Sequence, residues 1–118
     1  MTIFTTKVVD TVTYASGTGQ YIVLPVSHRT GNARFIQLHK ESGSGTLDVH
    51  PLEFSCDGVN YSTTFSADAS TEITPISEAT GITTKLWSIS EASFPYTRLK
   101  IDVNTDSVVV SVVVVDRS

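Results

Sequence analysis

The fold is decided by residues 108–115, which read VVVSVVVV. Successive side chains of a β-strand point to opposite faces of its sheet, so this strand carries valine on one face and valine with a single serine on the other. An antiparallel strand with one wet face alternates apolar and polar residues, and this strand does not. It also lacks charge and proline, which makes it prone to pair with other chains. We therefore expect it inside a sheet, covered on both faces by the fold or by another subunit.

Other segments alternate with the period of two residues that is typical of strands. The clearest is 96–103, whose expected inward residues are Thr97, Leu99, Ile101 and Val103. Turn signals such as Asp57-Gly58 recur between the segments. The sequence predicts one all-β domain over residues 1–118, an antiparallel two-sheet sandwich of about eight strands, jelly-roll or immunoglobulin-like in type.

Local sequence signals predict the backbone geometry of four parts of the chain. A hairpin across residues 41–45 would place Leu38 opposite Val49, with apolar pairs on one face. The inward parity changes at Pro51, which predicts a kink at which the strand crosses between sheets. Residues 104–106 are expected to form a tight hairpin into the last strand. The Ser/Thr-rich stretch 62–83 is expected to be a long connection with one short strand or one helical turn near residues 77–80.

Charge and cysteine content exclude several classes of function. The net charge is −4 and the eight Lys and Arg residues are scattered, whereas nucleic-acid-binding proteins cluster them against phosphates. The same scarcity argues against binding to an anionic membrane surface. Cys56 is the single cysteine, and its parity predicts a small core residue. No signal peptide and no stretch of about 20 apolar residues is evident, so we expect synthesis and folding in a cytoplasm.

The acidic residues near the last turn suggest a metal site only superficially. Asp102-x-Asn104-x-Asp106 resembles the start of a calcium-binding loop, because hard cations take several oxygen ligands from one turn. The full motif needs Gly at the sixth position and Glu at the twelfth, and here those positions hold Ser107 and Val113. A polar turn accounts for these residues equally well. We therefore predict no bound metal and no cofactor.

No catalytic constellation stands out either. Residues 55–61 resemble the Asp-box of sialidase-type propellers, but one position is missing and Tyr replaces Trp, so a turn closed by the Asp57 carboxylate is the simpler interpretation. His28, His39 and His50 are interpreted as surface histidines, since a transition-metal site needs three or four converging ligands. No nucleophile elbow accompanies the serines. We expect no catalytic residues and no enzymatic activity.

Aromatic side chains leave a carbohydrate-binding function open, because sugar rings stack on them. In a small β-domain they more often serve packing. We expect two of them, Tyr96 and Trp87, to face a ligand. Tyr96 is the better candidate because it lies beside Arg98 on the outward side of its strand. The aromatic residues considered are Tyr14, Tyr21, Tyr61, Trp87 and Tyr96.

The order of features is similar to that of small β-sandwich proteins of tailed-bacteriophage virions, such as capsid decoration (cement) proteins and head or tail accessory proteins. The similarity is carried by Leu47–Phe54, Ser55–Tyr61, a Ser/Thr-rich middle, Tyr96–Val103 and the terminal valine run. The resemblance implies a structural role in the virion, often as a homotrimer on a capsid lattice. Its implied partners are the major capsid protein or another virion protein.

We accordingly expect a capsid decoration protein that stabilises a phage head through subunit contacts. Val109, Val113 and Val115 are expected near such a contact or under the N-terminal segment, because this second valine face needs cover. The alternative is a carbohydrate-binding or fibre-tip module that uses Tyr96 or Trp87.

Overall fold

The described chain is built from β-strands joined by turns and loops. The computed structural model describes residues 3–26, 33–66, 72–73, 77–89 and 94–117, and these contain no helix. Branched and aromatic residues dominate the strands because they fit a pleated surface. The strands are β1 (Ile3–Tyr14), β2 (Gly17–Val23), β3 (Arg34–Ser42), β4 (Thr46–Val49), β5 (Glu53–Ser55), β6 (Phe65–Ser66), β7 (Glu72–Ile73), β8 (Thr84–Ile89), β9 (Tyr96–Asn104) and β10 (Val108–Arg117).

The strands form two antiparallel sheets, which confirms the predicted all-β sandwich. Sheet A has the order β1-β10-β3-β8, and sheet B has the order β2-β9-β4, with β5 also paired to β9. Strands β6 and β7 pair separately. From β1 to β4, each strand lies in the opposite sheet from the one before it, and β8 to β10 also alternate. An immunoglobulin domain instead pairs successive strands within a sheet, so the topology is of the jelly-roll type.

The core lies between the sheets and is set by alternation along β9 and β10. The even-numbered valines of β10 are at most 1% exposed, and the predicted inward residues of β9 are at most 2% exposed. Strand β10 lies between β1 and β3, so the doubly apolar strand is central in its sheet, as expected. The other fully buried apolar side chains are Ile36, Leu38, Leu47 and Leu52.

The predicted hairpins are wrong, because these connections lead from one sheet to the other. Leu38 pairs with Val112 and Lys85 in sheet A, whereas Val49 pairs with Ile101 in sheet B. Residues 105–107 likewise connect β9 in sheet B to β10 in sheet A. A turn signal shows that the chain reverses, but a reversal is equally compatible with pairing inside one sheet and with packing across two.

Two further expectations need correction. The strand does break around Pro51, but β4 and β5 both pair with β9, so the chain stays in sheet B instead of crossing. Ala79 forms a bridge with Val49 in place of the helical turn considered for that region. The Ala79 amide and carbonyl both bond to Val49, and this extends the edge of sheet B.

A bulge in β1 explains the serine within the valine strand. The register between β1 and β10 shifts between Lys7 and Val9 and again between Val9 and Val12. In the second bulge the Thr11 amide donates a hydrogen bond to Ser111 Oγ at 3.0 Å. Thr11 has a φ of 47°, a left-handed conformation that a β-branched residue rarely adopts. Bulges twist an edge strand and hinder pairing with other chains.

Because Thr11 is strained, its replacement by glycine is expected to raise the free energy of unfolding. Thr11→Gly is expected to stabilise the fold by about 0.5–1 kcal/mol, because glycine removes the left-handed penalty of about 1–2 kcal/mol at an entropic cost of up to about 1 kcal/mol. Thr13→Gly, in the regular part of the same strand, is expected to destabilise it by a similar amount. Urea unfolding of the three proteins measures both changes. Equal losses at the two positions would show that Thr11 is unstrained.

Two connections between the sheets pack against each other at one end of the sandwich. The Gly45 amide donates to the Ser107 carbonyl at 3.3 Å, and Ser44 Oγ donates to Asp106 Oδ2 at 2.6 Å. A Cβ atom on Gly45 would collide with the carbonyl oxygen of Asp106. Glycine is required here because one backbone lies directly on another.

This close approach predicts a sharp difference between two glycines. Gly45→Ala is expected to cost about 3 kcal/mol of unfolding free energy, since backbone must move to admit the methyl group. Gly17→Ala is the control, because its new Cβ would meet Gln20 at 3.5 Å, an ordinary contact. Thermal unfolding of both variants measures the difference. Similar melting temperatures for the two would mean that the connections are loosely packed.

Candidate interaction surfaces

The acidic residues of the calcium-like pattern face separate partners. Asp102 accepts hydrogen bonds from the Gly19 amide and from the His50 ring, both at 2.8 Å. These contacts, the Gly19 amide first, hold the pKa of the Asp102 carboxyl below its usual range. Asn104 Nδ2 donates to Asp48 at 2.9 Å. Within the described ranges, no group of three or more His, Cys, Asp or Glu residues is arranged to hold a metal ion.

The histidines are divided between the two sheets. His39 lies on β3 in sheet A, where Nδ1 is 2.7 Å from Thr84 Oγ1. His50 follows β4 in sheet B and pairs with Asp102. The two histidines are therefore not neighbours in one hairpin, because the hairpin predicted across residues 41–45 does not form. His28 lies outside the described residues.

The Asp57 turn has the geometry predicted for it. Asp57 Oδ1 accepts hydrogen bonds from the Val59 and Asn60 amides and from Ser55 Oγ, each at 2.8 Å. The Asn60 and Val59 amides strongly lower the pKa of this carboxyl. Cys56 is exposed, which corrects the prediction of a core residue. The strand ends at Ser55, so strand parity no longer directs the next side chain inward.

The lowered pKa of Asp57 predicts a pH-dependent effect of its substitution. Because the folded pKa lies below the unfolded value of about 3.9, the charged form stabilises the fold above about pH 4, and this contribution is lost as the pH falls further. The stability difference between the wild type and Asp57→Asn should therefore be largest near neutrality and shrink in acid. Chemical unfolding at several pH values measures it.

Asp10→Asn is the matched control for this experiment. Asp10 is exposed, and its carboxylate lies 3.6 Å from Lys7 Nζ, a surface ion pair of small worth. Its difference from the wild type should change little with pH. A pH-independent deficit in Asp57→Asn would mean that the hydrogen-bonded shape of the turn matters and the carboxylate charge does not.

The outer face of sheet A carries an apolar stripe. Val113 and Leu86 lie on either side of Gln37, and Val115 lies beside Phe35 in the next row. Leu86 is 67% exposed, while both valines are half-buried. Phe35, Leu86, Val113 and Val115 are called the sheet-A stripe below.

Val109 lies apart from this stripe. It is opposite Thr13 on β1 and Ser42 on β3, and Ser111 separates it from Val113 along the strand. All three predicted interface valines thus lie on the outer face, but only Val113 and Val115 adjoin other large apolar side chains. Their role in a subunit contact stays a prediction.

The two aromatic residues proposed to face a ligand have different environments. Trp87 is 5% exposed, and its Nε1 donates to the Ser77 carbonyl at 3.2 Å, so the prediction that it faces a ligand is wrong. On β8 its neighbour Leu86 points outward instead. Tyr96 is half-buried, and its ring lies against Gly58, where a Cβ would meet it at 3.2 Å.

Sheet B presents a different outer face, centred on Arg98. The Arg98 guanidinium carbon lies 3.9 Å from the ring centroids of both Tyr21 and Tyr61. Its Nε donates to Glu53 Oε1 at 2.7 Å. Lys100 Nζ lies 6.0 Å from the Tyr21 ring. The sequence offered one signal for this site, the outward parity of Arg98 and Lys100 on β9, but not the tyrosines that would meet them.

Comparison with known proteins adds little. No known protein family and no curated protein matches the chain. Among solved structures, similarity is found to a protein of Bacillus endospore appendages, described as a novel family of disulfide-linked pili. The identity is 10%, the alignment covers 97% of this chain and 87% of that chain, and the TM-score is 0.39. Similarity at this level indicates neither a shared function nor a shared assembly.

The described residues also contain no helix long and apolar enough to cross a bilayer.

Proposed function

We propose that this protein is a structural subunit of a virion, a capsid decoration protein that stabilises a phage head by subunit contacts. The observation that carries the proposal is the sheet-A stripe, whose members come from three adjacent strands. Scattered surface apolar residues are ordinary, but apolar residues clustered on neighbouring strands favour an interaction site. A second copy of the chain is the proposed occupant, because the stripes of identical subunits can be buried together around a shared symmetry axis.

The energetics of such a contact depend on the area covered. Apolar surface contributes about 25 cal/mol per Å² removed from water, before the cost of association. Stable interfaces bury about 1,200–2,000 Å² in total. The stripe would supply the apolar centre of such an interface, and the threonines of β1 and the polar residues of β3 would supply its rim. A trimer remains the favoured oligomer through the resemblance to decoration proteins, and the partner would be the major capsid protein or another virion protein.

The fold is compatible with a structural role in a virion, but it does not by itself indicate that role. Jelly rolls occur in viral capsid proteins, lectin domains and cupins, so the topology alone does not distinguish structural from binding functions. The long edge strand β1 would favour uncontrolled pairing, and its bulges oppose it. A subunit that assembles through a sheet face while protecting its edge is suited to forming discrete oligomers.

The proposal predicts that a charge in the stripe disrupts assembly. Leu86→Lys is expected to convert an oligomer to a monomer, because the ammonium group would be buried against Val113 of a partner. Val59→Lys is the control, since Val59 is 76% exposed on the Asp57 turn, away from the stripe. Size-exclusion chromatography with light scattering gives the mass of each protein. Sedimentation of particles from cells that make each variant tests capsid association.

Two results would contradict the proposal. One is a wild-type protein that is monomeric at high concentration and absent from purified particles. The other is an oligomer that Leu86→Lys and Val59→Lys leave equally intact, since the stripe would then lie outside the contact. Circular dichroism confirms that each variant is folded before the masses are compared.

A further inference from the structure

The Arg98 side chain is held unusually firmly for a surface arginine. Its guanidinium carbon lies 3.9 Å from the centroids of the Tyr21 and Tyr61 rings. The two rings come from β2 and from the segment after β5, which pair with β9 on its two sides, so they enclose the planar group from two directions. Its Nε edge is occupied by Glu53. Of the guanidinium, only the edge formed by Nη1 and Nη2 is left to meet a ligand.

This remaining edge is a strong hydrogen-bond donor that makes no hydrogen bond to the described residues. No hydrogen bond joins Nη1 or Nη2 of Arg98 to residues that the structure describes. The side chain is 22% exposed, so part of it is open to solvent. A guanidinium edge presents parallel N–H groups that match the two oxygens of a carboxylate. Because stacking has already removed the side-chain freedom, a ligand would bind at a smaller entropic cost.

The charges around Arg98 are balanced between two basic and two acidic side chains. Glu53 is held by Arg98 Nε, and Lys100 adds a second positive charge beside Tyr21. Asp102, the next outward residue on β9, already accepts hydrogen bonds from Gly19 and His50. The local balance of Arg98, Lys100, Glu53 and Asp102 is neutral, so a carboxylate would be bound through the directed N–H groups of the guanidinium edge and not through a net positive field.

Tyr21 supplies the second element of recognition. It is 47% exposed, so part of its ring remains open although Arg98 stacks on it. Aromatic rings offer an apolar surface with a polar end, which suits the apolar C–H face of a sugar ring with hydroxyl groups at its rim. The site therefore combines a carboxylate-binding fork and a sugar-stacking ring within one surface.

We propose that the outer face of sheet B binds an acidic saccharide, with the sugar carboxylate on Arg98 Nη1 and Nη2 and near Lys100, and the sugar ring against Tyr21. This site is separate from the sheet-A stripe and independent of oligomer formation. It uses Tyr21, one of the aromatic residues considered for carbohydrate binding, and neither Tyr96 nor the buried Trp87, the two that were expected to face a ligand.

The test measures binding of sialyllactose and of lactose, which differ by the acidic sugar, to the full chain by NMR titration. We expect shifts in the signals of Tyr21 and Lys100 with sialyllactose and at least about ten-fold weaker binding of lactose, because a charged hydrogen-bonded pair is lost. Arg98→Gln, Tyr21→Ala and Lys100→Gln should each weaken sialyllactose binding. The last two alter exposed parts of the site and leave the Arg98–Glu53 pair in place.

Arg117→Gln is the matched control, because Arg117 also lies over an aromatic ring, Phe35 at 5.6 Å, but on sheet A. It should leave sialyllactose binding unchanged. The proposal is overturned if sialyllactose does not bind, if lactose binds equally well, or if Arg117→Gln weakens binding as much as Arg98→Gln. Loss of particle association in Arg98→Gln without any saccharide binding would show instead that the site contacts protein.

Discussion

The central position of β10 between β1 and β3 is the constraint on which the rest of the structure depends. Its even valines fill the space between the sheets, and its odd valines lie half-buried on the outer face of sheet A. A strand of this composition is stable in water only with a hydrogen-bonded neighbour on each side. Those neighbours are β1 and β3, which come from distant parts of the chain. Because they occupy both edges of β10, the preceding strand β9 cannot pair with it and lies in the other sheet. The alternation of strands between sheets follows from this arrangement.

The two sheets give the molecule two unlike outer surfaces. On sheet A the outward residues of β10 are mainly valine, and the exposed Leu86 adds an apolar side chain on the edge strand β8. On sheet B the outward residues of β9 include Arg98 and Lys100, which lie beside Tyr21, and Asp102, which is hydrogen-bonded to His50. One surface therefore favours contact with protein, and the other is suited to a polar ligand.

Sequence reasoning predicted local alternation well and long-range pairing poorly. The inward face of 96–103 and the central position of the valine strand were confirmed, because both follow from the residues of one segment. The pairing of Leu38 with Val49 was wrong, because a turn signal does not specify which sheet the chain enters next. Trp87 was misplaced because the neighbouring Leu86 is also apolar, and parity in β8 cannot be read from hydrophobicity alone.

The Arg98 site shows a second limit of the sequence. Tyr21, Glu53 and Tyr61 reach Arg98 from β2, from β5 and from the segment after the Asp57 turn. No spacing in the sequence relates these residues, because their proximity is a product of the topology. The Asp57 turn, by contrast, was predicted correctly because its hydrogen bonds join residues within one short segment.

The central position of β10 has a consequence for the order of events during synthesis. The ribosome makes β1 and β3 long before the strand that lies between them, so each waits with an unpaired edge until residues 108–117 emerge. Sheet A can then close only by insertion of β10 into a prepared gap, a step dominated by contacts between distant residues and therefore slow. During that interval the bulges of β1 hinder premature association of the nascent chain. Chaperones that bind exposed strands would act at this stage.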